Sequence, residues 1–139
     1  MEETQMIFVD TSAWYAFTVP DDGHHDAAIL WAEQSSQDFL TTDFIVDETL
    51  TLLKSRGEDA LALSLGEQFF AGALTKIHHV TPEEVMAAWR VFRDYRDKAW
   101  SFTDATSKVV IEKLGIRQAF AFDEHFKQFG AVEVVPAES

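Results

Sequence analysis

Four acidic residues, Asp10, Glu48, Asp104 and Asp123, occupy positions from which carboxylates could do chemistry. Asp10 directly follows the β-prone apolar run Met6-Ile7-Phe8-Val9, and Asp123 follows Ala119 to Phe122 in the same way. Asp104 falls in the first turn of a helix opened by Ser101-Phe102-Thr103, where the helix dipole favours an ionised carboxyl. In open parallel sheets the working residues sit just past the carboxyl ends of strands. Taken singly, each of these three also fits a turn or a helix cap, for which Asp is a common choice.

Glu48 rests on a different argument. Turning the stretch Asp43 to Ser55 by about 100° per residue puts Phe44, Ile45, Glu48 and Leu52 on one face. Asp43, Asp47, Thr51 and Lys54 fall on another, so Asp47 reads as solvated surface. A carboxylate turned inward costs several kcal/mol unless something cationic meets it. Two readings stay open. Glu48 either reaches back to solvent or to a salt bridge, with Lys54 and Arg56 a turn or more away, or it joins the other acids around an ion. Like charges about 4 Å apart repel by roughly 4 kcal/mol at an effective dielectric of about 20, so a converging set needs cations. Oxygen donors without His or Cys select hard ions, Mg²⁺ or Mn²⁺. One or two such ions suit in-line attack of water on a phosphodiester.

The elements that must position these acids follow from the spacing of apolar residues. Strands are predicted over Met6 to Val9, Asp38 to Thr41, Lys76 to Val80, Ala119 to Phe122 and Val132 to Val135. Helices are predicted after a Thr11-Ser12 cap, and over His24 to Gln34, Asp43 to Ser55 and Glu58 to Ala73. In the second of these, Ala27, Ala28, Leu30 and Trp31 are expected to be partly buried. Thr81-Pro82-Glu83-Glu84 opens another helix that continues through Val85, Trp89, Phe92 and Arg96. The last opens at Ser101 and stops near Leu114-Gly115. Short apolar strands alternating with amphipathic helices predict a three-layer α/β/α sandwich with a mainly parallel central sheet.

At 139 residues with six glycines and three prolines, residues 1–139 read as a single domain. Absence of cysteine excludes a disulfide framework, a thiolate zinc site, an iron–sulfur cluster and a cysteine nucleophile. No apolar run approaches the roughly 20 residues of a membrane span. The acidic start Met1-Glu2-Glu3-Thr4-Gln5 lacks the apolar run of a signal peptide, so a cytoplasmic protein is expected. There is no Gly-rich phosphate loop, no serine nucleophile elbow and no dinucleotide fingerprint.

Four motifs in order, Val9-Asp10-Thr11-Ser12-Ala13, Asp47-Glu48-Thr49-Leu50, Ser101-Phe102-Thr103-Asp104-Ala105 and Phe122-Asp123-Glu124-His125-Phe126, resemble the signature of PIN domains. Within that family the chain is most similar to the VapC-type toxins of toxin–antitoxin pairs, over Met6 to about Pro136. The resemblance implies a metal-dependent endoribonuclease, usually a homodimer, that leaves a 5′-phosphate and a 3′-hydroxyl. It also implies an antitoxin that inserts a basic side chain into the acidic pocket. Carried over by position, Asp10, Glu48, Asp104 and Asp123 would bind Mg²⁺ or Mn²⁺, with Thr11, Ser12 and Thr103 as supporting hydroxyls. One departure is visible. Many members carry Thr or Ser two residues before the last acid, and here that residue is Ala121.

A net charge of −13 opposes a generic nucleic-acid-coating role. Setting the four acids aside leaves 20 acids against 11 bases, still −9, so an RNA would have to be held by metal and by a local basic patch. Arg90, Arg93, Arg96 and Lys98 fall on one helix, where the three arginines at i, i+3 and i+6 span about 120°. The competing reading pairs them with Asp94, Asp97 and Glu83. The doublets His24-His25 and His78-His79 lack a metal-pair spacing, and His125 reads as a surface residue near the site. Leu61, Leu65 and Phe69 read as core, or else as a groove for a second copy or an antitoxin. Three alternatives remain: a PIN-like domain that only binds, a receiver-like signalling module, and a haloacid-dehalogenase-type phosphatase. The receiver lacks its paired acids after the first strand and its late Lys. The phosphatase lacks its second Asp, whose place Ser12 takes.

Overall fold

The computed structural model describes residues 5–130 and 132–137. Met1 to Thr4, which carry most of the acidic start, lie outside them. Five strands, β1 (Met6–Val9), β2 (Asp38–Thr42), β3 (Lys76–His78), β4 (Gln118–Phe120) and β5 (Glu133–Val135), form one sheet in the order β3-β2-β1-β4-β5. Every neighbouring pair is parallel. The chain builds outward from β1 through β2 to β3, then crosses to the other side for β4 and β5. The direction of winding therefore switches between β1 and β4, where open sheets leave a crevice past the strand ends.

Six helices flank the sheet among the described residues: α1 (Thr11–Thr18), α2 (His25–Gln34), α3 (Asp43–Ser55), α4 (Asp59–Phe70), α5 (Pro82–Asp94) and α6 (Phe102–Leu114). A short 3-10 helix, Glu124–Gln128, follows β4. Both faces of the sheet are covered, which makes the three layers expected from the strand–helix alternation. On one face Trp31 of α2 lies 4.5 Å from Phe120 and 6.3 Å from Phe39, ring centre to ring centre. One residue out of phase, Phe8 meets Phe126 of the 3-10 helix at 6.1 Å. Ile7, Phe8 and Val9 are all buried, the continuous apolar run of a strand covered on both sides.

Several boundaries differ from the sequence reading. Asp10, not Thr11 or Ser12, caps α1, its carboxylate accepting the Ser12 N–H. β3 stops at His78 and β4 at Phe120. Beyond β4 the Ala121 N–H still donates to Val135, but the chain is already turning toward the 3-10 helix. α4 ends at Phe70 because Gly72, at φ +71°, turns the backbone left-handed. α5 ends at Asp94, short of Arg96. In α2, Ala28 and Trp31 face the core while Ala27 and Leu30 face solvent, a narrower apolar stripe than expected. Leu65 and Phe69 are buried and Leu61 packs against them, so that stripe is core. No helix among the described residues is long and apolar enough to cross a membrane.

Glu84 ties the outer helices to the sheet. It is buried at the third position of α5, where the helix start that the sequence predicts takes the form of a reciprocal cap between Thr81 and Glu84. Its Oε1 accepts the Thr81 N–H at 2.9 Å and faces His78 Nε2 of β3 at 2.8 Å. Lys113 of α6 is 3.0 Å from Oε2. Burial alone would raise its pKa; the Thr81 N–H, His78 and Lys113 outweigh that and hold the carboxyl down at about 2. Its contribution to stability is therefore present above the ordinary pKa of 4.5 and lost as pH falls toward 2. Glu84→Ala should destabilise the protein by roughly 1–3 kcal/mol at pH 7, by removing the buried carboxylate that the Thr81 N–H, His78 and Lys113 share. Thermal unfolding checks it. The difference from wild type should shrink below pH 4, and a constant difference across that range would sink the assignment.

Candidate active site

The four acids come from four separate places in the chain, and the switch point brings three of them together. Asp10 leaves the end of β1, and its own N–H donates to Phe120 at the end of β4, which sets it beside the segment that carries Asp123. Asp104 enters from the first turn of α6. There Ser101 Oγ accepts the Asp104 N–H and Asp104 Oδ2 accepts the Ser101 N–H at 2.9 Å, a reciprocal cap that fixes the carboxylate. Asp123 caps the 3-10 helix by accepting the His125 N–H at 2.9 Å. The bland roles and the site roles thus coincide: the caps are what aim these side chains.

Burial sets their charge. Asp10 is 3% exposed. Desolvation raises its pKa, two hydrogen bonds from Ser12 pull it back, and the nearby charges of Asp104 and Asp123 push it up again, to about 7. The carboxyl is therefore half protonated near neutrality when no cation is present.

Glu48 stands slightly apart. The buried stripe of α3 is Ile45, Val46, Thr49 and Leu53, so the inward face is centred on Thr49 and Glu48 lies half-buried at its border. Asp47, Thr51 and Lys54 are exposed, as the helical turn predicts. Glu48 reaches the site through a hydroxyl: Thr11 Oγ1 donates to its Oε1 at 2.6 Å. Thr11 directly follows Asp10, so the end of β1 and the border of α3 are one bond apart.

The other hydroxyls divide. Ser12 Oγ donates to Asp10 Oδ2 at 2.7 Å and accepts the Phe122 N–H at 2.9 Å. It thereby links the Asp10 carboxylate to the backbone just before Asp123, a link made without any hydroxyl at Ala121. Thr103 contributes through its carbonyl, which accepts from Thr106 and Ser107. The arginines follow the pairing alternative in part. Arg93 donates to Asp94 at 2.9 Å, and Arg93 first, then Arg96 and Arg90, hold the Asp94 carboxyl below its usual range. Arg96 lies past the end of the helix.

Sequence reasoning placed His125 near the site but not in it. Its Nδ1 lies 2.8 Å from Asp104 Oδ2 and 3.3 Å from Asp123 Oδ1. Asp104, Asp123 and His125 each offer a donor atom within 4.8 Å of the others, the span of a metal ion's ligands. A ring nitrogen thus lies among carboxylates for which the sequence predicts an all-oxygen donor set. A signal was available: His125 is two residues past Asp123, in a turn that folds back on its own cap.

A PIN-domain family model matches residues 7–132. The chain belongs to the PIN-domain family. The "23S rRNA-specific endonuclease VapC20" of Mycobacterium tuberculosis is 36% identical to this PIN domain over 132 residues, spanning 94% of this chain and 99% of that one. A "VapC ribonuclease" of Archaeoglobus fulgidus is 32% identical over 123 residues, 85% of this chain and 77% of that one. The crystal structure of Mycobacterium tuberculosis VapC20, described as a sarcin–ricin loop cleaving toxin, superposes with a TM-score of 0.87 at 34% identity, covering 94% of this chain and 99% of that one. PIN membership removes the receiver and phosphatase alternatives.

The Asp10 carboxyl makes a measurable statement. Neutral in the fold up to about pH 7 but ionised above 3.8 when unfolded, it favours the cation-free fold at low pH and loses that contribution between about pH 4 and 7. At about 1.4 kcal/mol per pH unit, keeping it ionised at pH 8 costs the cation-free fold at most about 4 kcal/mol. In chelator, Asp10→Asn should melt above wild type at pH 8 and level with it near pH 4. Parallel melting profiles would place the strain elsewhere.

Proposed function

We propose that this PIN domain is a metal-dependent endoribonuclease, the toxin of a toxin–antitoxin pair, acting in the cytoplasm on ribosomal RNA. The observation that carries the reading is the convergence of Asp10, Asp104 and Asp123 at the β1–β4 switch point, with Glu48 one hydroxyl away. Support for the substrate class comes from the named activity of relatives that align over nearly the whole chain. The match over residues 7–132 supports treating the full 139 residues as one domain.

The donor set fits a hard divalent ion, Mg²⁺ or Mn²⁺. It is rich in carboxylates, one of them buried and reluctant to ionise without a cation. When bound, such an ion would polarise the phosphodiester and make water a better nucleophile. Asp10, Glu48, Asp104 and Asp123 hold it. Ser12 fixes the Asp10 carboxylate and Thr11 the Glu48 carboxylate, so neither side chain has to reorganise as charge develops on the phosphate. Thr103 anchors the first turns of α6 beneath Asp104. Arg90, Arg93 and Arg96 supply the local positive surface for RNA, with Asp94 as their counterion in its absence. An acidic pocket of this kind also suits an antitoxin that offers a basic side chain.

A homodimer fits the exposed surface of α5, where Met86, Trp89 and Phe92 recur at helical spacing, 54%, 47% and 39% exposed. Trp89→Glu should halve the mass seen by light scattering while leaving the fold intact; a monomeric wild type would remove the proposal.

The test of the enzyme reading is cleavage of purified ribosomes in Mg²⁺ or Mn²⁺. Asp10→Asn and Asp104→Asn should each lower the rate by at least about 10²-fold, and chelator should abolish it. Metal-independent cleavage, or full activity in both variants, would sink this reading. Tight metal binding without cleavage of any RNA would favour a PIN domain that only binds.

A further inference from the structure

We propose that His125 Nδ1 is a direct ligand of the divalent ion, and that it biases the site toward a first-row transition ion such as Mn²⁺ over Mg²⁺. The inference rests on the divalent-ion reading above and refines it. The ring nitrogen stands between two carboxylates, 2.8 Å from Asp104 Oδ2 and 3.3 Å from Asp123 Oδ1. A single N–H cannot bond both oxygens well, whereas one ion can bind all three atoms, which lie within 4.8 Å of one another.

The position is built rather than incidental. Asp123 accepts the His125 backbone N–H at 2.9 Å, so the last acid and the histidine are held in one turn. The next residue, Phe126, is fully buried against Phe8 of the central strand and anchors that turn to the core. Asp104 is held from its other side by the Ser101 N–H. The nitrogen is thus fixed relative to both carboxylates by two caps and a core aromatic.

The chemical consequence follows from donor type. Mg²⁺ prefers oxygen and gives up water reluctantly, while transition ions accept imidazole nitrogen readily. Replacing one oxygen donor by imidazole costs Mg²⁺ more than it costs Mn²⁺.

The probe is Mn²⁺ alone, added to the full chain without RNA. Pulsed electron paramagnetic resonance should show a directly bound ¹⁴N in wild type that disappears in His125→Asn. Asn keeps a hydrogen-bond donor near the Nδ1 position, so the carboxylates remain partnered, and thermal melting verifies the fold. Calorimetric competition should show the preference for Mn²⁺ over Mg²⁺ falling about tenfold in that variant. Bound Mn²⁺ without ¹⁴N coupling in wild type, or coupling that persists in His125→Asn, would overturn the ligand assignment while leaving the carboxylate site standing. An unchanged Mn²⁺/Mg²⁺ ratio would overturn the bias. Failure of wild type to bind Mn²⁺ stoichiometrically would overturn the divalent-ion reading, and this inference with it.

Discussion

Asp10 sits at the end of the central strand, almost wholly out of water, with the charges of Asp104 and Asp123 acting on it. Desolvation and like-charge repulsion work in the same direction there, and two hydrogen bonds from Ser12 only partly oppose them. A carboxylate so placed is a standing demand for positive charge. Much of the surrounding structure keeps it in place regardless. Trp14 Nε1 donates to Thr41 Oγ1, which in turn donates to the carbonyl of Val9, the residue before Asp10. All three are buried, so the end of β1 is tied through α1 to β2, while Ser12 holds the carboxylate itself.

The same economy of parts recurs at the other acids. Asp104 is both the reciprocal cap of α6 and a member of the cluster; Asp123 is both the cap of the 3-10 helix and its neighbour. A cap has one geometry, set by the backbone N–H it must satisfy, so capping gives these side chains a direction as well as a location. Helix starts at strand ends then point their caps at the crevice of a parallel sheet. Where a bare acid on a loop would be driven away by its neighbours, a capping acid stays, because leaving would strand an N–H.

Legibility in the sequence follows from this division between local and long-range causes. The strands and helices rested on apolar spacing and on caps such as Thr81-Pro82 and Ser101-Phe102, all local signals, and α3 and the start of β1 fell where those signals put them. The three strand- and helix-end acids were legible for the same reason. Glu48 was legible only approximately, because periodicity locates a face to within a residue or so and the true centre of the α3 stripe is Thr49. His125 reads as a surface residue in the sequence, since its place beside Asp104 depends on a turn folding back toward α6, and no periodic pattern encodes that. The link from Ser12 to Phe122 spans 110 residues and could not have been read from spacing at all.

The overall acidity of the chain is compatible with an anionic substrate once distance is considered. With the four acids removed the balance is still −9, but that charge is spread over a surface and screened beyond about 10 Å at 0.1 M salt. What an approaching phosphate meets at close range is the local balance. In the proposed site that balance would be set first by the bound ion, since the charges acting on Asp10 are those of Asp104 and Asp123. A pocket that becomes attractive to phosphate only when it holds a cation couples substrate binding to metal occupancy. The same pocket, lacking its ion, would present its strongest negative potential to any basic side chain a partner could insert. On the proposed reading, activation by a metal and inhibition by a cationic partner would both follow from one electrostatic fact, the burial of Asp10 beside two other acids.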